Sequence, residues 1–302
     1  MAAAPEAGAF SRMHPAVALA DGLFRALPNG KREIGPPVVL ARQTSGGRDY
    51  VFESPVQLAA DDLRILQGVF ILASKPSANV ELDVRAPVTD TGARLAASLS
   101  FKAASGEPDL AKYVTFSLSS LGAASGYSGD GGGTRTQVGE ALERLSGVVV
   151  RTFLDEMEVS CSRLLAFTDL EPGDERGPRE NSALALCPSL STVVVTGTRG
   201  LRHCRMVFSE CVGLGKSGCA RIVHQRLCGF VDPGKSHKVR LRSLVGYAYA
   251  PTKVANTLRR RLADTRDAMD ALALLPGWTV SHDGVEGESR IYNISRPGTT
   301  AA

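Results

Sequence analysis

No apolar run in this 302-residue chain reaches the roughly 18 residues that a membrane span needs. The first ten residues, MAAAPEAGAF, hold no basic stretch followed by an apolar one, so no secretory leader is expected there. The six cysteines (Cys161, Cys187, Cys204, Cys211, Cys219 and Cys228) form no C-x-x-C pair. In a chain of this length that argues against a disulfide framework and for reduced, buried thiols in a cytoplasmic protein. No Ser-His-Asp or Cys-His arrangement stands out. His14, His237 and His282 fall in expected loops without an evident partner, and Asp61, Asp62, Glu156 and Glu158 read as cap and surface groups. The expectation is a protein that is not an enzyme, uses no cofactor or metal and has no membrane partner.

What the chain does have is enough apolar material, 43% of its residues, for two compact cores. Its charge is uneven. Residues 202–302 carry 16 Lys and Arg against 8 Asp and Glu, whereas residues 1–201 carry 19 against 23. A polyanion partner bound mainly through the C-terminal part is the direct inference.

The basic part contains the most ordered pattern, Thr252 to Leu275. At 3.6 residues per turn, Val254, Leu258, Leu262, Thr265, Met269 and Leu272 form one stripe, while Lys253, Asn256, Thr257 and Arg260 form another flanked by Arg259 and Arg266. Arg and Lys neutralise phosphates, Arg forks onto guanine and Asn bonds adenine through two atoms, so such a helix suits a major groove. A merely solvated basic face has the same spacing, and the residues that follow decide between the two. Pro276-Gly277 stops the helix. Trp278, Val280, Ile291 and Ile294 then alternate with polar residues around Asp283-Gly284 and Gly287, which signals a hairpin. Upstream lie a helix over Ala220–Phe230, a short strand at Val239 and Leu241, and a short helix over Leu244–Ala250. Helix, strand, helix, basic helix and hairpin is the order of a winged helix.

The N-terminal part repeats that order more loosely. Asp21–Gly30 reads as a short turn, Arg48–Phe52 as a strand and Leu58–Ala73 as a buried helix. Strands are expected at Val80–Val84 and Leu95–Phe101, and a helix over Tyr113–Leu121. After the Gly-rich break at 126–133 come a helix over Thr134–Leu145 and strands at Gly147–Phe153, Val159–Phe167 and Ala183–Leu186, with a polar loop at 171–181. The expected fold is therefore α+β, two tandem winged-helix domains, each a small helical core with a β-hairpin wing. Residues 1–47 form a partly disordered extension, 48–200 the first domain, 201–297 the second and main DNA reader, and 298–302 a disordered tail. Residues 1–20 are expected to be poorly ordered.

Two other patterns carry possible chemistry. Gly229-Phe-Val-Asp-Pro-Gly-Lys-Ser236 matches the phosphate-loop spacing letter for letter. It follows a helical pattern rather than a strand, precedes a strand rather than a helix, and Pro233 removes an amide from the cradle. It reads as a turn, with a P-loop ATPase as the outlying alternative. His203, Cys204, Cys211, Cys219, His224 and Cys228 fall at spacings that fit no usual zinc pattern and sit in apolar stretches, where cysteine behaves as a small hydrophobe.

The stretches HPAVALADGLFRAL (14–27), LAADDLRILQGV (58–69), HQRLCGFVDPGK (224–235), TLRRRLADTRDAMDALALLPGWTV (257–280) and YNISRP (292–297) resemble the replication initiator C protein of IncQ-type broad-host-range plasmids. The resemblance is dense from about 220 to 297 and thin between 75 and 215. It implies a tandem winged-helix protein that binds direct repeats (iterons) in double-stranded origin DNA. It further implies help in opening an adjacent AT-rich segment, loading of a plasmid-encoded helicase and primase, and monomer–dimer behaviour. Carried onto this chain, it puts Lys253, Asn256, Thr257, Arg259, Arg260, Arg261 and Arg266 on or beside the C-terminal recognition helix. Ser289 and Arg290 then lie on the wing, and Thr134, Arg135, Thr136 and Gln137 begin the N-terminal recognition helix. A winged-helix transcriptional regulator is the alternative within the same class.

Overall fold

The computed structural model describes residues 10–27, 32, 34–75, 80–107, 109–127, 132–170, 182–195 and 202–298. The chain begins with β1 (Phe10–Met13), α1 (Pro15–Ala18) and the two-residue β2 (Phe24–Arg25). Next come the hairpin of β3 (Ile34–Ser45) and β4 (Arg48–Val56), the short β5 (Leu58–Ala59) and α2 (Ala60–Ala73). The stretch expected as an extension is thus built into the fold. Met13, Ala16, Val17 and Leu23 have no exposed surface, so burying them outweighs the turn-forming Pro and Gly around them. Within the expected extension, Ile34–Ser45 is a 12-residue edge strand. Pro36 and Pro37 fall in its register shift, where a missing amide costs no ladder bond, and Gly46 and Gly47 supply the positive φ of its turn.

His14 caps α1: its Nδ1 accepts the Ala16 amide (3.1 Å), and its ring lies 5.1 Å from that of Tyr50. Burial pushes the imidazole pKa down to about 4. Unfolding therefore takes up a proton wherever the pH lies between about 4 and the ordinary histidine value of about 6.5. His14 thus leaves stability intact above about pH 6.5 and subtracts about 1.4 kcal/mol for each unit of acidification below it, down to about pH 4. Urea unfolding against pH checks this, with His14→Asn, which keeps a capping side chain, expected to flatten the slope by one proton. An unchanged slope in that variant would remove His14 from the account.

The middle of the chain contains β6 (Val80–Asp83), α3 (Asp90–Leu99), β7 (Lys102–Ala103), β8 (Leu110–Phe116), α4 (Leu118–Ala124) and α5 (Gly132–Ser146). Then follow β9 (Val149–Leu154), β10 (Met157–Arg163), β11 (Leu165–Asp169), β12 (Ser182–Leu186) and α6 (Pro188–Val195). Two expected elements change type. Leu95–Phe101 is the end of a helix: Thr89 accepts the Gly92 amide to start α3, and Thr91, Leu95 and Leu99, four apart, are buried. Tyr113–Phe116 belongs to a strand buried on both faces, which erases the period-2 signal, and Ser117 caps the helix that begins after it. The expected strand at Val159–Phe167 breaks at Leu164, where the chain passes from one sheet to another. The sheets run β3-β4-β9-β10-β7 and β11-β12-β8-β6. The 171–181 loop lies outside the described residues.

The last part comprises β13 (Cys204–Val207), α7 (Phe208–Gly213), α8 (Gly218–Phe230), β14 (Ser236–Arg240), α9 (Leu241–Ala248), the 19-residue α10 (Ala255–Ala273), β15 (Thr279–His282) and β16 (Ile291–Ser295). β14-β16-β15 form an antiparallel sheet, and β1 pairs antiparallel with β13. The core is continuous across position 200: Met13, Phe70 and Leu184 share one buried cluster with Val223, Met269 and Ile294. A smaller cluster, with Leu82, Leu95 and Leu99, lies under α3. Among the described residues no helix is long and apolar enough to cross a membrane. All six cysteines are free thiols, Cys161 half-buried and the others buried.

Candidate nucleic-acid interface

α10 is held by its apolar stripe. Leu262, Ala268, Met269 and Leu272 are buried against α8 and α9, with Leu258 packed at the rim. Thr265 donates to the Arg261 carbonyl and contacts the Cys219 thiol, and the Tyr249 hydroxyl donates to Asp264 (3.1 Å). The expected stripe departs from the core only at Val254, which is the N-cap and is exposed. Because valine has no acceptor and the first turn has no acid, the leading amides of α10 are uncapped. At this end the helix dipole is positive, and Lys253, Asn256, Arg259 and Arg260 are exposed around it. Capping by serine or aspartate is worth about 0.5–2 kcal/mol. Val254→Asp is therefore expected to stabilise the fold by about that amount while weakening binding to any polyanion. Thermal melts and DNA titrations together check it, and a variant that both stabilises and binds as before would dissociate the helix end from binding.

The other sequence-derived residues divide. Thr257 is half-buried beside the exposed group. Arg261 turns back onto the chain, donating to the Ala250 carbonyl with its guanidinium 5.1 Å from the Tyr249 ring. Arg266 is half-buried, its Nε shielded from solvent without a hydrogen-bond partner among the described residues. In the hairpin, Asp283 accepts the amides of Val285 (3.1 Å) and Ile291 (3.3 Å), and Gly284 takes the positive φ of the turn. Arg290 donates through Nε to the Val285 carbonyl (2.9 Å), bracing that turn, while Ser289 is exposed. Glu288 pairs with Arg242 (2.6 Å). With Asp283, Glu286 and Glu288 near its tip the hairpin is acidic, and most of the exposed positive charge is elsewhere.

Part of it is on β14. Lys238 and Arg240 are exposed on the outer face of the small sheet, and Lys238, Asn293 and Ser281 face one another in register across its three strands. The alternation in HKVR, charged at every second position, was the signal for this row. At the start of α5, Arg135, Thr136 and Gln137 are exposed and Thr134 is half-buried, with Thr136 bonded to the Gly132 carbonyl (3.1 Å). Arg144 lies inward, its Nε on Asp62.

Gly229–Ser236 has the surroundings its flanks predicted. α8 precedes it and β14 follows, the Gly234 amide donates to the Arg296 carbonyl (3.1 Å) and the Lys235 amide to the Asp232 carbonyl (3.0 Å). Two amides of the would-be cradle are therefore already paired. Of the His and Cys residues considered for metal, His224 and Cys228 come together with Glu210, which had not been associated with them.

These features define a mixed α/β protein with a basic helix-and-sheet face near its C-terminal end. The chain belongs to the Replication protein C (RepC) family, whose model matches residues 7–298. The family resemblance carried by HQRLCGFVDPGK and its companion stretches is borne out. The structure is similar to the crystal structure of domains 2 and 3 of RctB, with a TM-score of 0.56 at 12% identity, covering 90% of this chain and 94% of that one. At that identity the likeness is one of fold. No curated protein matches the sequence.

Proposed function

We propose that this protein is a plasmid replication initiator that binds direct repeats in double-stranded origin DNA, without catalytic activity of its own. It then promotes local duplex opening and helps load the plasmid helicase and primase, with a dimer as a second form of the protein. The observation that carries the reading is the uncapped, cation-rich beginning of α10, projecting Lys253, Asn256, Arg259 and Arg260 from a helix whose other face is locked in the core. The order α8, β14, α9, α10, β15, β16 supports a winged helix at this end. α2, α4 and α5 followed by the β9–β10 hairpin support a second, with Arg135, Thr136 and Gln137 at its groove-facing helix. Phosphate contacts supply most of the affinity, and Asn256 and Arg260 read bases.

The experiment is titration of a labelled origin-repeat array against scrambled DNA over a salt series, with Arg260→Ala beside the wild type. A lost bidentate base contact costs about 1–3 kcal/mol, so the variant is expected to bind the repeats roughly 5- to 150-fold more weakly and scrambled DNA much less affected. Equal affinity of the wild type for both DNAs would leave only a DNA-coating protein.

A further inference from the structure

α7 and α8 meet at a group of buried side chains that DNA binding does not use. His224 and Cys228 lie one turn apart on α8, and Glu210 reaches them from α7; their exposures are 0%, 4% and 5%. His224 Nε2 lies 2.9 Å from a Glu210 oxygen and 3.5 Å from Cys228 Sγ, and the three ligand atoms all fall within 4.8 Å of one another. An imidazole nitrogen has one bonding direction, filled by one proton or one lone pair. Two partners converging on the same nitrogen exceed what a hydrogen bond uses, and they are what a shared cation needs. The other ring nitrogen, Nδ1, is buried with no hydrogen-bond partner among the described residues, and it carries the ring proton when Nε2 gives its lone pair to a cation.

We propose that Glu210, His224 and Cys228 form a binding site for a divalent cation of the zinc class. Tetrahedral zinc keeps sulfur at about 2.3 Å and nitrogen or oxygen at about 2.0–2.2 Å, which separates neighbouring ligand atoms by roughly 3.3–3.7 Å. Small side-chain shifts take the group to that geometry. A mixed sulfur, nitrogen and oxygen set selects zinc over magnesium or calcium, which take oxygen ligands. Binding replaces the thiol proton, which leaves to solvent, and the dication is balanced by carboxylate and thiolate. The fourth position goes to water. The site would fasten α7 to α8 beneath Trp278, whose ring lies 5.4 Å from that of His224 at the base of the hairpin.

The test uses the full chain. Metal content is measured after purification without chelator, and metal-free protein is then titrated with Co²⁺ as a spectroscopic probe and with Zn²⁺. Expected are about one equivalent per chain and a thiolate-to-cobalt charge-transfer band. The band is expected to vanish in Cys228→Ser and persist in Cys161→Ser, and Zn²⁺ to raise the melting temperature of the wild type but not of Cys228→Ser. Wild-type protein that retains no metal and develops no band overturns the proposal without reference to any variant. A band that survives Cys228→Ser overturns it as well.

Discussion

Replacing Lys253, Arg259 and Arg260 together by alanine is expected to weaken DNA binding about a hundredfold at 0.15 M salt. Each phosphate contact contributes roughly 0.9 to the slope of log affinity against log salt, so Lys253 and Arg259 contribute about 1.8, and the loss of base reading by Arg260 adds to the weakening on origin repeats. That slope is the diagnostic reading. All three side chains are exposed, so the urea midpoint should stay where it is, which separates loss of binding from loss of fold. Arg290→Ala is the contrasting variant. Arg290 braces the hairpin turn, and its removal should cost little of the slope. An unchanged slope in the triple variant would mean that the helix end does not meet phosphate, and the β14 face with Lys238 and Arg240 would become the place to look.

The second large effect concerns stability. Asp62 is wholly buried, and its carboxylate accepts from the Ala59 amide (2.8 Å), Arg144 Nε (2.7 Å) and Arg32 Nη2 (3.0 Å). Asp62→Ala removes the anion from between two largely buried guanidinia and uncaps α2. Breaking a buried pair from one side typically costs about 3–5 kcal/mol, because the remaining charge stays desolvated. Denaturant unfolding should show the midpoint falling with the m-value unchanged. Asp61 also bonds Arg32, but its side chain is 46% exposed, and Asp61→Ala should cost under about 1 kcal/mol. Similar losses in the two variants would show that burial does not set the strength of this network.

The same residues show how far the sequence could be read. Leu262, Met269 and Leu272 repeat at helical spacing against a polar remainder, so α10 and the hairpin after it were legible, as was the exposure of Lys253, Asn256, Arg259 and Arg260. Arg261 and Arg290 have the same sequence signal, but their carbonyl partners at Ala250 and Val285 come from the fold, and only coordinates reveal that they are occupied. Tyr113–Phe116 and Leu95–Leu99 exchanged types because one is buried on both faces and the other is short, so periodicity loses its contrast. The short strand holding Lys238 and Arg240 was legible too, but that its charged face stays exposed in register with Asn293 and Ser281 comes from the pairing with β16 and of β16 with β15. Glu210 carried no signal toward His224, since their approach is made by the packing of α7 on α8.

The pairing of β1 with β13 also bears on the order in which the molecule is made. Met13 faces Cys204, 191 positions later in the chain. At the usual synthesis rates of about 5–20 residues per second, the opening strand waits about 10–40 s on the ribosome before its partner exists. For that time β1 has α2 to pack on and α1 has β3, but the β1 ladder stays open, and this pairing is among the most non-local in the molecule, the kind that slows folding. Nascent chains stalled before residue 204 should leave this strand open to protease while α2 and the hairpin of β3 and β4 have begun to assemble, so the first strand of the chain is fixed only when its C-terminal third is being made.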